Sequence, residues 1–242
     1  MHNSEYENIY TNELTHWWYV TLHSLILQII NKEFGDNKNI SILDAGCGTG
    51  GFLSKLDDYS QKEGFDFSET AVDFCVKRGL TNCFVQDLNT WVPTRTYDVI
   101  VSSDVLYHKN ITDDQLIFNC FYEALNPGGI LILNLPAFEI LKRNHDIVVE
   151  TKKRYTRKDF RQLYSNSKFK RMQSLYRLPL LFFVVALQKF VERLQSSNSS
   201  DIGEVSHCLN RFLIGFLRME NKLLLAGVKL PVGTSVLGIF NK

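Results

Sequence analysis

The segment Leu43-Asp44-Ala45-Gly46-Cys47-Gly48-Thr49-Gly50-Gly51 narrows the possible folds of this 242-residue chain more than any other. An apolar run, Ile40 to Asp44, reads as a strand leading into it, and Gly51 to Leu56 reads as a helix leading out. A glycine turn between strand and helix leaves backbone N–H groups and the positive end of the helix dipole facing a ligand. Strand-like and helix-like segments then alternate. A second strand ends at Asp66, a helix runs from Ser68 to Arg78, and a short third strand ends near Gln86. Tyr97 to Ser102 is an apolar fourth strand. Thr112 to Leu125 is a helix that Thr112 and Asp113 can cap, and Asn126-Pro127-Gly128-Gly129 turns into a fifth strand, Ile130 to Leu135. Such alternation predicts an α/β fold, a mostly parallel sheet with helices on both faces.

Other segments flank this core. Tyr6 to Phe34 reads as one helix, with Trp18, Leu22, Leu25, Leu27 and Ile30 at three- to four-residue spacing. Beyond Pro136 a basic cluster, Lys152, Lys153, Arg154, Arg157 and Lys158, leads into a helix ending at Tyr164 and a sixth strand, Arg171 to Arg177. Two apolar helices, Leu180 to Leu194 and Val205 to Leu225, joined flexibly through Ser196 to Ser200, precede a seventh strand, Ser235 to Phe240. The expected division is an N-terminal helical lid (1–35), a core (36–177), a helical insertion (178–230) and the last strand of the core (231–242). Apolar residues at 45% and charged residues at 22% suffice for one packed interior.

A formal net charge of +1 provides no overall field to collect nucleic acid, so no nucleic-acid partner is expected. The five cysteines, Cys47, Cys75, Cys83, Cys120 and Cys208, are odd in number and form no Cys-x-x-Cys pair, which reads as free thiols. The N-terminus lacks a basic-then-apolar signal pattern, so a reducing cytoplasm is expected. The longest apolar run, Leu178 to Leu187, is about half the ~20 residues that cross a bilayer.

The glycine loop alone fits a dinucleotide as well as an adenosyl ligand. Asp44 separates the two in part: a carboxylate two residues before Gly46 repels a pyrophosphate and favours an ammonium. Asp66 ends the second strand, where a carboxylate can accept both ribose hydroxyls. Asp87 follows the third strand, able to accept from an adenine amino group while Leu88 and Phe67 bracket the ring. S-adenosylmethionine has the ammonium, the ribose and the adenine, and no phosphate.

The sequence resembles the class I, Rossmann-like methyltransferase family in Leu43 to Gly50, Gly64-Phe65-Asp66-Phe67-Ser68, Gln86-Asp87-Leu88, Tyr97-Asp98-Val99-Ile100 and Leu125-Asn126-Pro127-Gly128-Gly129. The resemblance covers residues 36–136. It implies a seven-stranded sheet and S-adenosyl-L-methionine as cofactor, held by Asp44, Gly46, Cys47, Gly48, Gly50, Asp66, Phe67, Asp87, Leu88 and Ser103, with Trp18 of the N-terminal segment expected at the cofactor as well.

Methyl transfer needs alignment of two reactants, and a base only when the nucleophile is protonated. Ser103-Asp104-Val105-Leu106-Tyr107-His108 lies just past the fourth strand, on the rim where such sheets bind ligands. His108 either accepts a proton from an acceptor hydroxyl or caps the next helix; Tyr107 and Asp104 are its companions. The run is similar to the Glu-Val-Leu-Glu-His of ubiquinone-type O-methyltransferases, with Tyr107 in place of the second acid, so no metal is expected. No Asn/Asp-Pro-Pro-aromatic run and no Pro-Cys nucleophile follows, which favours a small-molecule acceptor.

Trp17, Trp18 and Tyr19 either fold over the cofactor as a lid or pack one helix face. His145-Asp146 and Arg154-Tyr155 resemble the His-Asp…Arg-Tyr-Thr pattern of methyltransferases of glycan or natural-product pathways; they contact substrate, or form a solvated loop. The insertion packs on the domain, roofs an apolar pocket, forms a dimer contact, or rests on a membrane with Lys189 and Arg193 toward head groups. The expected activity is methylation of a small, apolar or glycan-type acceptor at oxygen. Methylation at nitrogen or carbon, a nicotinamide oxidoreductase and a non-catalytic cofactor-binding scaffold are the alternatives.

Overall fold

The computed structural model describes residues 3–143, 146–147, 149–195 and 206–242. Seven strands, β1 (Ser41–Ala45), β2 (Gln61–Asp66), β3 (Cys83–Val85), β4 (Tyr97–Ser103), β5 (Leu125–Pro136), β6 (Arg171–Arg177) and β7 (Ser235–Asn241), form one sheet in the order β3-β2-β1-β4-β5-β7-β6. Neighbours from β3 to β5 are parallel; β7 runs antiparallel between β5 and β6. The strand order reverses between β1 and β4, and ligands of such sheets sit at the carboxyl ends flanking that reversal.

Alternate strand residues feed two cores. Leu43, Ile100, Leu131 and Phe240 point to one face, with Phe118 and Phe121; Ile42, Val99, Ile132 and Ile239 point to the other, with Leu25, Ile26 and Ile29. Each fully buried side chain of this size contributes about 1.5–3 kcal/mol. Asp98 staples the start of the sheet: it accepts from the Ser41 N–H at 2.8 Å and from Asn126 Nδ2 at 2.8 Å, joining β1, β4 and the first residues of β5, which begins at Leu125, ahead of the expected Ile130.

Seven helices among the described residues cover the sheet: α1 (Asn3–Asn12), α2 (Trp17–Phe34), α3 (Glu69–Lys77), α4 (Asp114–Glu123), α5 (Arg157–Ser165), α6 (Pro179–Gln195) and α7 (His207–Leu225). Helix α7 lies along α2, where Asn221 Nδ2 donates to the Thr21 carbonyl (2.8 Å) and Lys32 Nζ to that of Leu225 (3.0 Å).

Three expectations change. The N-terminal helix is two helices, because Glu13 leaves the helical path to reach a buried ion pair, and His16 starts α2 by accepting from the Trp18 N–H at 3.3 Å. The segment after the glycine loop is a single 3₁₀ turn, Leu53–Lys55, rather than a helix, since Leu53, Leu56 and Tyr59 bury themselves within the short return to β2. At α4, Asp113 alone caps, accepting from Gln115 and Leu116 (2.9 and 3.0 Å), while Thr112 bonds the Asn89 side chain. Ser196 to Ser200 and His145 lie outside the described residues, as do the side chains of Lys189 and Arg193.

Candidate active site

A cavity of about 1580 Å³ opens over the carboxyl ends of β1, β2 and β4. Usual small-molecule sites occupy ~300–1,000 Å³, so this one has room for two reactants. The glycine loop forms its floor. Gly46 adopts φ +86°, and a Cβ there would lie 2.2 Å from Val105 Cγ2, so the position takes only glycine. The Gly46 and Cys47 N–H groups donate to the Phe65 carbonyl (2.8 and 2.9 Å), and the Gly48 N–H donates to Asp66 Oδ2 at 3.0 Å. With only one 3₁₀ turn behind it, the loop presents the β1 and β2 carboxylates to the cavity rather than a helix dipole.

Asp44 is buried and has no hydrogen-bond partner among the described residues. Burial pushes its carboxyl well above the ordinary range, and Cys83, Glu13 and Asp66 add negative charge around it. A buried anion without a counter-charge is costly, and a bound cation removes that cost. Asp66 is also raised, first by burial, against N–H bonds from Ser68, Gly48 and Phe67 that favour its charged form. Phe67 is exposed and Leu88 buried, both at the wall; Asp87 is exposed, its Oδ1 accepting from the Asn89 N–H (2.9 Å) and side-chain amide (2.8 Å). Ser103 Oγ and Trp17 Nε1 line the cavity as buried polar atoms without protein partners. The uncompensated Asp44 carboxylate, the carboxylates of Asp66 and Asp87, two orphaned polar groups and an exposed aromatic fit an adenosyl amino acid.

Beyond this part lies the rim of β4. Asp104 sits at φ +56°, a strained conformation for a non-glycine residue, held by its N–H donating to the Asn134 carbonyl (2.8 Å) and by Asn134 Nδ2 donating to Oδ2 (3.1 Å). Burial raises its carboxyl to about 7. Tyr107 stacks on His108, with ring centroids 4.4 Å apart. Burial lowers the His108 pKa, and its ring hydrogen-bonds the Val149 backbone, so one ring nitrogen is engaged as donor while the imidazole stays neutral. His108 does not cap α4, since Asp113 does.

Trp17 and Trp18 both line the cavity, with Trp18 edge-on to Tyr19 at 4.9 Å. Arg154 also lines it, held bidentately by Asp146 (2.8 and 3.0 Å) with Nη1 on the Ala137 carbonyl, so it is a fixed, paired cation rather than part of a solvated loop. Two expectations are corrected here. Tyr155 is fully buried, donating to the Leu106 carbonyl (3.0 Å) and Asp114 Oδ2 (2.6 Å); it is a core residue away from the cavity, because the segment after Arg154 turns inward against β5. Gly50 faces Leu80 and Cys75 instead of the cavity.

Glu13, Arg177 and the meeting of three cysteines had no signal in the chain, whereas Tyr6 and Tyr19 belong to the expected N-terminal lid. Glu13 is buried over the glycine loop, bonded to the Thr49 hydroxyl and paired with Arg78 at 2.6 Å. A Cβ on Gly51 would lie 2.2 Å from Glu13 Oε2, so glycine there admits the acid. Tyr6 of α1 hydrogen-bonds Ser68 and is pushed up to about 12 by burial and Asp66, which places α1 over the end of β2. Tyr19 lines the cavity within the field of Glu13 and Asp104. Behind Asp104, Arg177 is fully buried and lowered to about 10, with Glu220 and Asp104 as its charged neighbours. The fold also gathers the Cys47, Cys75 and Cys83 thiols within 4.8 Å of one another, the donor type a soft cation such as zinc uses; their wide sequence spacing hid this.

The sequence profile described as "Methyltransferase domain" matches residues 15–176. The phosphoethanolamine N-methyltransferase 1 of Arabidopsis thaliana is 32% identical over 117 residues, covering 43% of this chain and 23% of that enzyme. A malonyl-[acyl-carrier protein] O-methyltransferase of Bacillus cereus is 29% identical over 131 residues, covering 51% and 47%. The alignments thus span from under a quarter to about half of those relatives' lengths. Among solved structures, the plantazolicin methyltransferase BpumL, in complex with a triazolic desmethylPZN analog and SAH, superimposes with a TM-score of 0.62 at 15% identity, over 99% of this chain and 90% of that one, a likeness of fold.

Proposed function

The chain belongs to the methyltransferase-domain family of S-adenosylmethionine-dependent enzymes, and from that premise we propose that it methylates a small amphiphilic acceptor at oxygen. Membership removes the nicotinamide alternative. The observation that carries its cofactor half is Asp44, a buried carboxylate with no cation of the protein beside it, facing the same cavity as Asp66; the acceptor half rests on His108 at the rim of that cavity.

S-adenosylmethionine, when bound, supplies an electrophilic methyl group on a sulfonium. Asp44 offers its charge to the ammonium, Asp66 accepts from the ribose hydroxyls, and Phe67, Leu88 and Asp87 hold the adenine. Ser103 and Trp17 bring orphaned polar groups to the same walls. Tyr6, Trp18 and the Glu13–Arg78 pair close the N-terminal helices over the loop and exclude water. His108, neutral at pH 7 and oriented through Val149, accepts the acceptor's hydroxyl proton. Asp104 and the stacked Tyr107 position that hydroxyl. Leu141, Val149, Leu181 and Val185 with Arg154 line the remaining space, suiting an apolar body with a polar handle.

Similarity to a phosphoethanolamine N-methyltransferase favours nitrogen as the second reading. An amine that reacts unprotonated needs no base in the transfer, so one variant separates the two. With His108→Gln, transfer of labelled methyl to an extract-derived small molecule falls by about 10²–10⁴-fold for a hydroxyl acceptor, at unchanged S-adenosylhomocysteine affinity. A loss under about threefold, small against that range, rejects oxygen. Label entering only RNA or protein rejects the small-molecule acceptor.

A further inference from the structure

The outer faces of α6 and α7 carry apolar side chains in helical register. On α6 these are Leu180, Phe183, Val184 and Leu187, at i, i+3, i+4 and i+7, with Phe183 61% and Leu187 64% exposed. On α7 they are Leu209, Phe212, Met219 and Leu223, with Phe212 67% exposed. The inner faces of the described residues pack against the domain. Phe182 packs edge-on against Phe138 at 5.4 Å, Leu217 and Leu224 are buried, and Glu220 accepts from the Leu178 N–H at 2.8 Å. The outer stripes are therefore a second apolar face, apart from the one each helix packs against the domain.

Charge selects the occupant. Arg211, Arg218 and Lys222 are exposed on α7, while its one acid, Glu220, is turned inward and buried. A second copy meeting the same face would oppose cation to cation, whereas an anionic lipid surface complements both the charge and the apolar stripes. No helix among the described residues is long and apolar enough to cross a membrane, so these helices would lie in the interface. The same two helices supply cavity wall: Leu181 and Val185 from α6, His207 and Asn210 from α7.

We propose that the outer faces of α6 and α7 dock the protein on anionic lipid bilayers, with the cavity wall built by these helices at the lipid surface. That an amphiphile drawn from the bilayer is the methyl acceptor rests on the function proposed above; docking itself does not.

The test is flotation of the full chain with vesicles of phosphatidylcholine alone and of phosphatidylcholine mixed with phosphatidylglycerol. The chain floats with the anionic vesicles, less so in high salt. Arg211→Gln and Arg218→Gln each weaken binding by about fivefold, and Phe183→Glu with Phe212→Glu abolishes it. S-adenosylhomocysteine affinity reports that each variant is folded. An intact chain that ignores anionic vesicles overturns the proposal, as does binding indifferent to the two phenylalanine substitutions. A dimer in sedimentation that those substitutions dissociate, without vesicle binding, overturns it by giving the face to a second copy. A chain that docks yet never binds S-adenosylhomocysteine leaves docking standing and removes the enzymatic reading.

Discussion

Replacing Glu13 by Ala tests whether the N-terminal segment is part of the cofactor site or merely lies beside it. Glu13 and Arg78 are almost fully removed from water, and the Thr49 hydroxyl donates to the same carboxylate. Breaking one side of a buried pair costs about 3–5 kcal/mol because the other charge stays behind. Arg78 retains the Thr49 and Tyr10 carbonyls, both at 2.9 Å, and the face of the Tyr10 ring at 4.3 Å. Burial also pushes the Glu13 pKa up, so the carboxylate gives back some of what its partners contribute. Both facts favour the lower end, about 3 kcal/mol. At about 2–4 °C per kcal/mol for a domain of this size, the melting midpoint falls by about 6–12 °C. Because Glu13 closes onto Thr49 and Gly51, S-adenosylhomocysteine affinity falls as well, and proteases gain access to residues 13–16. Calorimetry and limited proteolysis read all three. A variant melting within about 2 °C of the parent, a shift worth no more than 1 kcal/mol, with unaltered ligand affinity and proteolysis, refutes the reasoning.

Three further outcomes follow from the same geometry. Asp44→Asn removes an uncompensated buried charge, so the ligand-free protein melts higher while S-adenosylmethionine binding weakens by at least ~30-fold, about 2 kcal/mol, in titration calorimetry; tighter or equal binding contradicts the ammonium assignment. The Asp104 carboxyl, raised by burial to about 7, is protonated below that pH and charged above it. If its charged form positions the acceptor, kcat/KM rises with pH through about 7, and Asp104→Asn flattens that limb; an unchanged profile removes Asp104 from the site. Its raised pKa also means that its contribution to stability is greatest in acid and is lost as pH climbs from the unfolded value toward 7. Tyr155→Phe strips the buried Leu106 carbonyl of its donor and leaves Asp114 Oδ2 to Lys153 alone, costing about 1–3 kcal/mol in thermal melts at constant acceptor KM; a raised KM without destabilisation would return Tyr155 to the substrate.

Much of the architecture is written in local pattern. The alternation of apolar β1, β4 and β5 with amphipathic α3 and α4 specifies the parallel core, and the acids at strand ends are legible because a strand places its terminal side chain at a known edge. The sixth strand expected around Arg171 to Arg177 is β6. The break between α1 and α2 was not, since nothing around Glu13 lowers helix propensity enough; a pairing with Arg78, 65 residues away, makes it. The same holds for Tyr155, whose burial depends on Asp114, and for Arg154, whose fixed position depends on Asp146.

From its sequence alone this protein carries its alternation of strands and helices, its glycine turn and the carboxylates that point to an adenosyl amino acid, because these depend on period, spacing and residue chemistry within short stretches. Which cysteines meet, which arginines are buried, where the N-terminal helix bends and which faces of α6 and α7 stay bare were decided only by the folded chain. Those features are contacts between residues distant in sequence, where the balance of desolvation against pairing exists only once both partners are in place.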